Sequence, residues 1–295
     1  MSIEYISKED KWVKCINTSG TIRAVAISAA DISNKMSEQH GSNEIATKAL
    51  SEATIATLLL SSYCKTGEKV NLNIKGSGWC SHGIVDANAD AVVRGYVIER
   101  DPKEIQLAKG VGPWGIGLLS VLRTKHEQSQ PYIGTVPLLT GHLAKDLTFY
   151  WLQSEQVQSA VGIDVRVENG KVILAEGFLI QAMPGATDAD IQFIEEHLKK
   201  LHQFDSKSDQ RKSPINLLSF LLENQTFSVL EEKQLTYACP CSFERAKRSM
   251  VLVGSDELKS MLTENKDIEV LCDFCSEKYK FAPKIIQELI NQEKK

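Results

Sequence analysis

The sequence predicts an α+β protein with a core domain of antiparallel strands and helices, a helical linker and a small C-terminal zinc-binding domain. Three observations support this fold class. Segments with alternating apolar residues recur up to residue 180, with helical segments between them. After Pro184 the apolar residues follow a helical period instead. Four of the seven cysteines lie between Cys239 and Cys275, which is typical of a metal-stabilised domain.

The first part of the chain predicts a hairpin, a helix and a strand. Residues 11–28 alternate around a turn at residues 18–20, which favours a β-hairpin. Residues 42–62 carry apolar residues at helical spacing, and we expect Ser42 to cap this helix. Residues 70–74 alternate as a half-buried strand does.

The rest of the core domain predicts more strands and one more helix. Residues 142–153 have the apolar spacing of a helix. Asn169-Gly170 favours the type I′ turn of a tight hairpin. The strands predicted by alternation are residues 92–98, 116–122, 132–138, 163–167 and 172–180.

The domain boundaries follow from a change of pattern after Pro184. We expect a core domain at residues 1–184, a metastable amphipathic helical linker at 185–237 and a four-cysteine domain at 238–295. Two linker helices are predicted, at residues 189–204 and at 215–223 after Ser213-Pro214. No strand is predicted between residues 186 and 237. An apolar helix between polar stretches is expected to pack weakly or conditionally.

Composition and motifs exclude several classes of function. The formal net charge is −4, which argues against a nucleic-acid-binding protein. No run of about 18 apolar residues and no secretory signal are present, so we expect a cytoplasmic protein without a membrane partner. The G-x-G-x-x-G match at residues 110–115 contains Pro113 and is interpreted as a turn. No ATP-binding or nucleophile-elbow motif is present, so we expect no enzyme.

The four C-terminal cysteines predict one Zn²⁺ ion per chain. They form a C-x-C pair, Cys239 and Cys241, and a C-x2-C pair, Cys272 and Cys275. Four thiolates suit zinc in softness and tetrahedral geometry. A domain this small has a limited apolar core and needs a cross-link such as a bound metal to be stable. Each pair is also close enough in sequence for a local disulfide, so the site is either a redox trigger or a constitutive structural zinc site. Cys15, Cys64 and Cys80 are interpreted as small buried apolar side chains.

The chain resembles the 33 kDa redox-regulated heat-shock chaperone family over nearly its whole length. The most specific matches are Cys239-Pro-Cys241-Ser-Phe-Glu-Arg245 and Cys272-Asp-Phe-Cys275. His142 and Glu176 depart from the family pattern, which has an acid and a glycine there. Further matching blocks, in the family's order, are residues 131–138, 154–156, 159–162, 177–181 and 184–186.

The resemblance implies a redox-regulated, ATP-independent chaperone of the stress response, a holdase. It implies an inactive zinc-bound reduced state, and oxidation to the disulfides Cys239–Cys241 and Cys272–Cys275 with zinc release. The C-terminal region and linker would then unfold, and the protein, as a homodimer, would bind unfolding client proteins. The apolar linker residues either bind clients and gate activity or simply pack on the core; they are Phe193, Leu198, Phe204, Leu217, Leu218, Phe220 and Leu221.

Two other functions remain open from the residues. The first is a zinc-ribbon nucleic-acid-binding protein, which the acidic net charge disfavours. The second is a thiol-disulfide oxidoreductase that uses Cys272-x-x-Cys275. That motif usually follows a strand in a βαβ unit, whereas here it lies near the C-terminus.

Overall fold

The structure is a computed structural model, and it describes most of the chain. The chain divides into two compact units, one of Tyr5–Tyr237 and one of Met1–Glu4 with Ala238–Lys295. Among the helices of the described residues, none is both long and apolar enough to cross a membrane. The described residues are 3–101, 103, 105, 107–125, 130–201, 213–223, 225–263 and 267–293.

The larger unit is built on one mixed sheet. In the described residues this sheet has ten strands in the order β7-β6-β3-β4-β5-β10-β1-β2-β9-β8. The α+β fold class is therefore confirmed. The strands are β1 (Ile3–Asn17), β2 (Ile22–Ser28), β3 (Lys69–Gly76), β4 (Cys80–Asn88), β5 (Val92–Glu99), β6 (Gly117–Thr124), β7 (Tyr132–Leu138), β8 (Ser159–Glu168), β9 (Lys171–Ala182) and β10 (Phe227–Cys239).

Most strand predictions are confirmed because they rest on local patterns. β1 and β2 pair antiparallel around the predicted turn, and β6 pairs antiparallel with β7. At the β8–β9 turn, Asn169 and Gly170 have φ of 52° and 74°, as a type I′ turn requires. β4 was not predicted, because Cys80-Ser-His-Gly does not alternate clearly between apolar and polar residues.

The core-domain helices differ from prediction in their ends. The unpredicted α1 (Ala30–His40) precedes α2 (Glu44–Ser61). Ser42 is not the cap of α2, because the side chain of Asn43 accepts the hydrogen bond from the Ala46 amide. The helix predicted at residues 142–153 is α3 (Leu143–Tyr150), and a π-helical turn at Trp151–Glu155 continues it.

Where the structure describes it, the predicted linker contains two helices and an unpredicted strand. α4 (Asp188–Lys199) begins with a capping box between Thr187 and Asp190, and α5 (Pro214–Leu221) begins with its proline. Residues 202–212, the end of the first predicted helix and the polar stretch, lie outside the described residues. The expectation of no strand up to residue 237 is wrong, since β10 occupies Phe227–Cys239.

In its described residues, the smaller unit combines three helices with a short hairpin. The helices are α6 (Phe243–Val251), α7 (Ser255–Thr263) and α8 (Pro283–Glu293). Between α7 and α8, β11 (Ile268–Leu271) and β12 (Lys278–Phe281) pair antiparallel. Its apolar core includes Leu258, Phe281, Ile286 and Leu289.

Candidate metal centre and apolar docking face

The first pair of cysteines lies where a strand gives way to a helix. β10 ends at Cys239, and α6 begins two residues after Cys241. Ser242 caps α6 by accepting a hydrogen bond from the Arg245 amide at 3.3 Å. The Arg245 guanidinium donates to the Pro240 carbonyl at 3.1 Å. These bonds close the C-x-C segment into a compact turn.

The second pair lies in the loop between β11 and β12. The Cys272 amide donates to the Glu277 carbonyl at 2.9 Å, and the Ser276 amide donates to the Cys272 carbonyl at 2.8 Å. Ser276 has a φ of 55°, in the left-handed region. The hairpin pairing therefore ends in a tight turn that brings Cys272 and Cys275 together.

The structure brings the four predicted ligand sulfurs into one cluster. All four Sγ atoms lie within 4.8 Å of one another. The Cys239–Cys272 distance is 3.8 Å and the Cys241–Cys275 distance is 3.3 Å. Sulfurs that bind zinc at about 2.3 Å at the corners of a tetrahedron are about 3.8 Å apart. The cluster therefore has dimensions that suit one tetrahedral ion.

Burial shapes the chemistry of this cluster. Cys239 and Cys275 are buried, while Cys241 and Cys272 are partly exposed. Burial raises the pKa of the Cys272 and Cys275 thiols above the usual value. A bound divalent cation reverses this preference, because it favours the thiolate. The cluster therefore lies at the edge of the buried region, with two of its four residues partly accessible to solvent.

An aromatic residue beside the cluster was given no role in the sequence analysis. The Tyr279 hydroxyl donates a hydrogen bond to Cys241 Sγ at 3.1 Å. Tyr279 and Phe281 lie on the buried face of β12, and Phe281 stacks on Phe243 with ring centroids 4.6 Å apart. The alternation of polar and aromatic residues in Lys278-Tyr-Lys-Phe281 could have indicated this strand and its buried aromatic face. Donors next to metal ligands orient them and tune the site.

The predicted client-binding or gating residues of the linker are covered in this structure. Leu217, Leu218 and Leu221 are at most 2% exposed. Phe193, Leu198 and Phe220 are partly buried and pack against the same apolar cluster, whereas Phe204 lies outside the described residues. The sheet side of this cluster, which we call the docking face, consists of Val13, Cys15, Ile22, Ala24, Ala26, Phe178 and Ile180.

The remaining cysteines are set in the larger unit. Cys15 and Cys80 are 1% exposed, and burial raises the pKa of each to about 12. Cys64 is half-buried, and burial raises its pKa as well. These thiols are therefore protonated at neutral pH and react slowly. Cys15 and Cys80 are packed as small apolar groups, as expected.

Comparisons with known proteins point to one family. The model of the family described as Hsp33 protein matches residues 10–282. A 33 kDa chaperonin of Geobacter sulfurreducens is 34% identical over 287 residues, which cover 95% of this chain and 94% of the relative. A 33 kDa chaperonin of Streptococcus agalactiae is 32% identical and covers 96% of this chain and 98% of its own.

A solved structure has the same fold. The crystal structure of the 33 kDa chaperonin from Thermotoga maritima superposes with a TM-score of 0.85, covering 97% of this chain and 99% of that chain. The two sequences are 24% identical, so this likeness supports the fold alone. The family match over residues 10–282 and the identity of the curated relatives carry the assignment: the chain belongs to the Hsp33 family of chaperones.

Proposed function

We propose that this protein is a redox-regulated, ATP-independent holdase chaperone that is inactive when reduced and active when its four clustered cysteines are oxidised. The observation that carries the proposal is the convergence of four sulfurs within 4.8 Å in a small unit that directly follows the linker. Membership of the Hsp33 family supports the same function. The proposal includes a cytoplasmic location and a homodimer in the oxidised state.

In the reduced state, Cys239, Cys241, Cys272 and Cys275 would hold one Zn²⁺ ion. The donor set fits, because four cysteine sulfurs within 4.8 Å of one another match the four thiolate ligands of structural zinc. A bound zinc ion would supply charge compensation for four thiolates and a cross-link between two chain segments. The Tyr279 hydroxyl would hold the Cys241 sulfur in place.

Oxidation by a peroxide would remove the ligands. Four thiolates would lose four electrons and form two S–S bonds. Two peroxide molecules would take up these electrons with four protons, and four water molecules would leave. A disulfide sulfur no longer binds as a thiolate, so the four residues would release the ion.

The pairing of the disulfides decides what the oxidation does to the fold. Cross-pairing of Cys239 with Cys272 would close a loop of about 34 residues. By lowering the entropy of the unfolded chain, it would stabilise the folded state by about 4 kcal/mol. The proposed local pairs, Cys239–Cys241 and Cys272–Cys275, close loops of three or four residues, worth about 2 kcal/mol each. Cross-pairs would keep the segments tied together, whereas local pairs break the cross-link. Release of the C-terminal region therefore requires the local pairs.

The released linker would expose apolar surface to clients. α4 and α5 cover the docking face in the reduced state, and Leu217, Leu218 and Leu221 are buried there. Undocking would expose both this helical face and the sheet face beneath it. Large exposed apolar patches bind other chains without requiring a particular sequence. Unfolding proteins are the partners with matching apolar surface.

The test compares reduced and oxidised protein in one assay. We would dilute a chemically unfolded client into buffer and follow its aggregation by light scattering, while a chelating dye reports released zinc. We expect suppression of scattering only after peroxide treatment and zinc release. The Cys64→Ser variant should behave like the unmodified chain, because Cys64 lies outside the cluster. Zinc release without suppression would refute the chaperone function and leave a structural zinc site.

A further inference from the structure

β10 has an unusual place in the sheet of the larger unit. It lies between β5 and β1, and it joins β7-β6-β3-β4-β5 to β1-β2-β9-β8. Thr236 and Tyr237 pair in parallel with Val92 and Val93 of β5. Each of the two groups is internally paired without β10, since β5 pairs with β4 and β1 pairs with β2. β10 is therefore an inserted strand, and its removal leaves both groups intact.

The chain connects β10 directly to the cysteine cluster. Ala238 alone separates Tyr237, which pairs with β5, from Cys239. Leu235 and Tyr237 are fully buried, whereas Val229 and Leu230 are 48% and 63% exposed. The buried anchoring residues thus lie at the end of β10 that is next to the cluster. Disorder of the cluster would act first on this anchoring end.

The outer half of β10 is attached through charged side chains. Lys11 of β1 pairs with Glu232 at 2.6 Å, and Lys14 of β1 pairs with Glu231. Lys233 pairs with Glu231 at 2.7 Å and donates to the Ala89 carbonyl at 2.8 Å. These side chains are partly exposed, and ion pairs that water can reach contribute little stability. The outer half of β10 can therefore leave at little cost, and the burial of Leu235 and Tyr237 holds the rest of the strand in place.

We infer that the gap left by β10 between β1 and β5 is a binding site for extended segments of unfolded client chains. This inference rests on the proposed function, because it requires oxidation to release the linker. The edges of β1 and β5 then present backbone N–H and C=O groups without partners, and such edges take up an added strand. Backbone hydrogen bonding tolerates many sequences, as a chaperone requires.

The gap also prefers a pattern of side chains. The buried sites that Leu235 and Tyr237 would vacate can accept two apolar side chains of a client segment, at alternate positions along its strand. The departure of Glu231 and Glu232 leaves Lys11 and Lys14 without these carboxylates. The preferred segment therefore carries acidic residues a few positions before two alternating apolar residues. Acidic, β-prone stretches of unfolding proteins have this character.

The test uses a peptide of residues 227–238, which contains no cysteine, as a labelled probe for the full-length chain. We expect the oxidised protein to bind it at least tenfold more tightly than the reduced protein does. A matched control peptide carries methyl groups on alternate backbone nitrogens and keeps every side chain. It should bind at least tenfold more weakly, because strand addition needs the amide donors. Bound peptide should also slow hydrogen exchange in β1 and β5.

The same samples are assayed for suppression of client aggregation, which separates the two proposals. Suppression by oxidised protein that does not bind the peptide would overturn the strand site and leave the proposed function standing. Equal binding of the methylated peptide, or unchanged exchange in β1 and β5, would also overturn it. Oxidised protein that fails to suppress aggregation would overturn the proposed function, and the strand site with it.

Discussion

Replacing Leu218 by alanine tests whether the linker helix α5 opens separately from the rest of the larger unit. Leu218 is fully buried in the cluster that joins α5 to the docking face. A Leu→Ala change in a packed core costs about 2–5 kcal/mol. If α5 undocks locally, this cost raises the open population by about 30-fold to 5,000-fold.

Hydrogen exchange of the reduced, zinc-loaded protein measures this population. In Leu218→Ala, the amides of α5 should exchange at least about 30-fold faster, while those of β3 and β6 keep their rates. Under the proposed redox mechanism, peroxide should also activate this variant faster. The control is Ser219→Ala, because Ser219 is exposed on the same helix. Equal acceleration in α5, β3 and β6 would refute local opening, since it would show that α5 unfolds only with the whole unit.

Three further changes have defined outcomes. Cys272→Ser should abolish stoichiometric zinc binding and make the C-terminal region protease-sensitive without oxidant; retained zinc and a resistant tail would contradict the site. Tyr279→Phe removes the donor to Cys241 and should weaken zinc affinity about 10-fold to 100-fold in a chelator competition, so unchanged affinity would exclude that role. Burial raises the pKa of Asp10 from 3.8 to about 6. Its ionisation should therefore lower the free energy of unfolding by about 3 kcal/mol as the pH rises from about 4 to 6. Asp10→Asn should flatten this part of the Tm–pH curve, and an unchanged curve would contradict the assignment.

Local patterns made much of the fold predictable. The Asn169-Gly170 turn and Pro214 at the start of α5 need only neighbouring residues. The cysteine pattern was similarly informative, because two close pairs in a small segment have few uses other than a shared metal. The four sulfurs converge in the structure as that pattern predicts.

Other features depend on distant parts of the chain. Glu231-Glu-Lys-Gln234 hides the alternation of β10, and its partners β1 and β5 lie more than a hundred residues earlier. The hydrogen bond from Tyr279 to Cys241 joins residues 38 positions apart, so it depends on the fold that places the segment after β10 beside β12. The cap of α2 was misplaced by one residue, because Ser42 and Asn43 are both good caps and the backbone geometry decides between them.

The late position of β10 in the chain also affects how the protein is made. β1 and β5 are synthesised early, but the strand between them is complete only at Cys239, about 57 residues after β9 ends. At about 5–20 residues per second, the ribosome needs about 3–11 s for this stretch. During that interval a nascent chain carries two incomplete sheets, and non-local pairing of this kind slows folding further. Each newly synthesised chain would therefore pass through an aggregation-prone intermediate with unpaired strand edges. The yield of folded protein in the cell would depend on how quickly translation delivers residues 227–239.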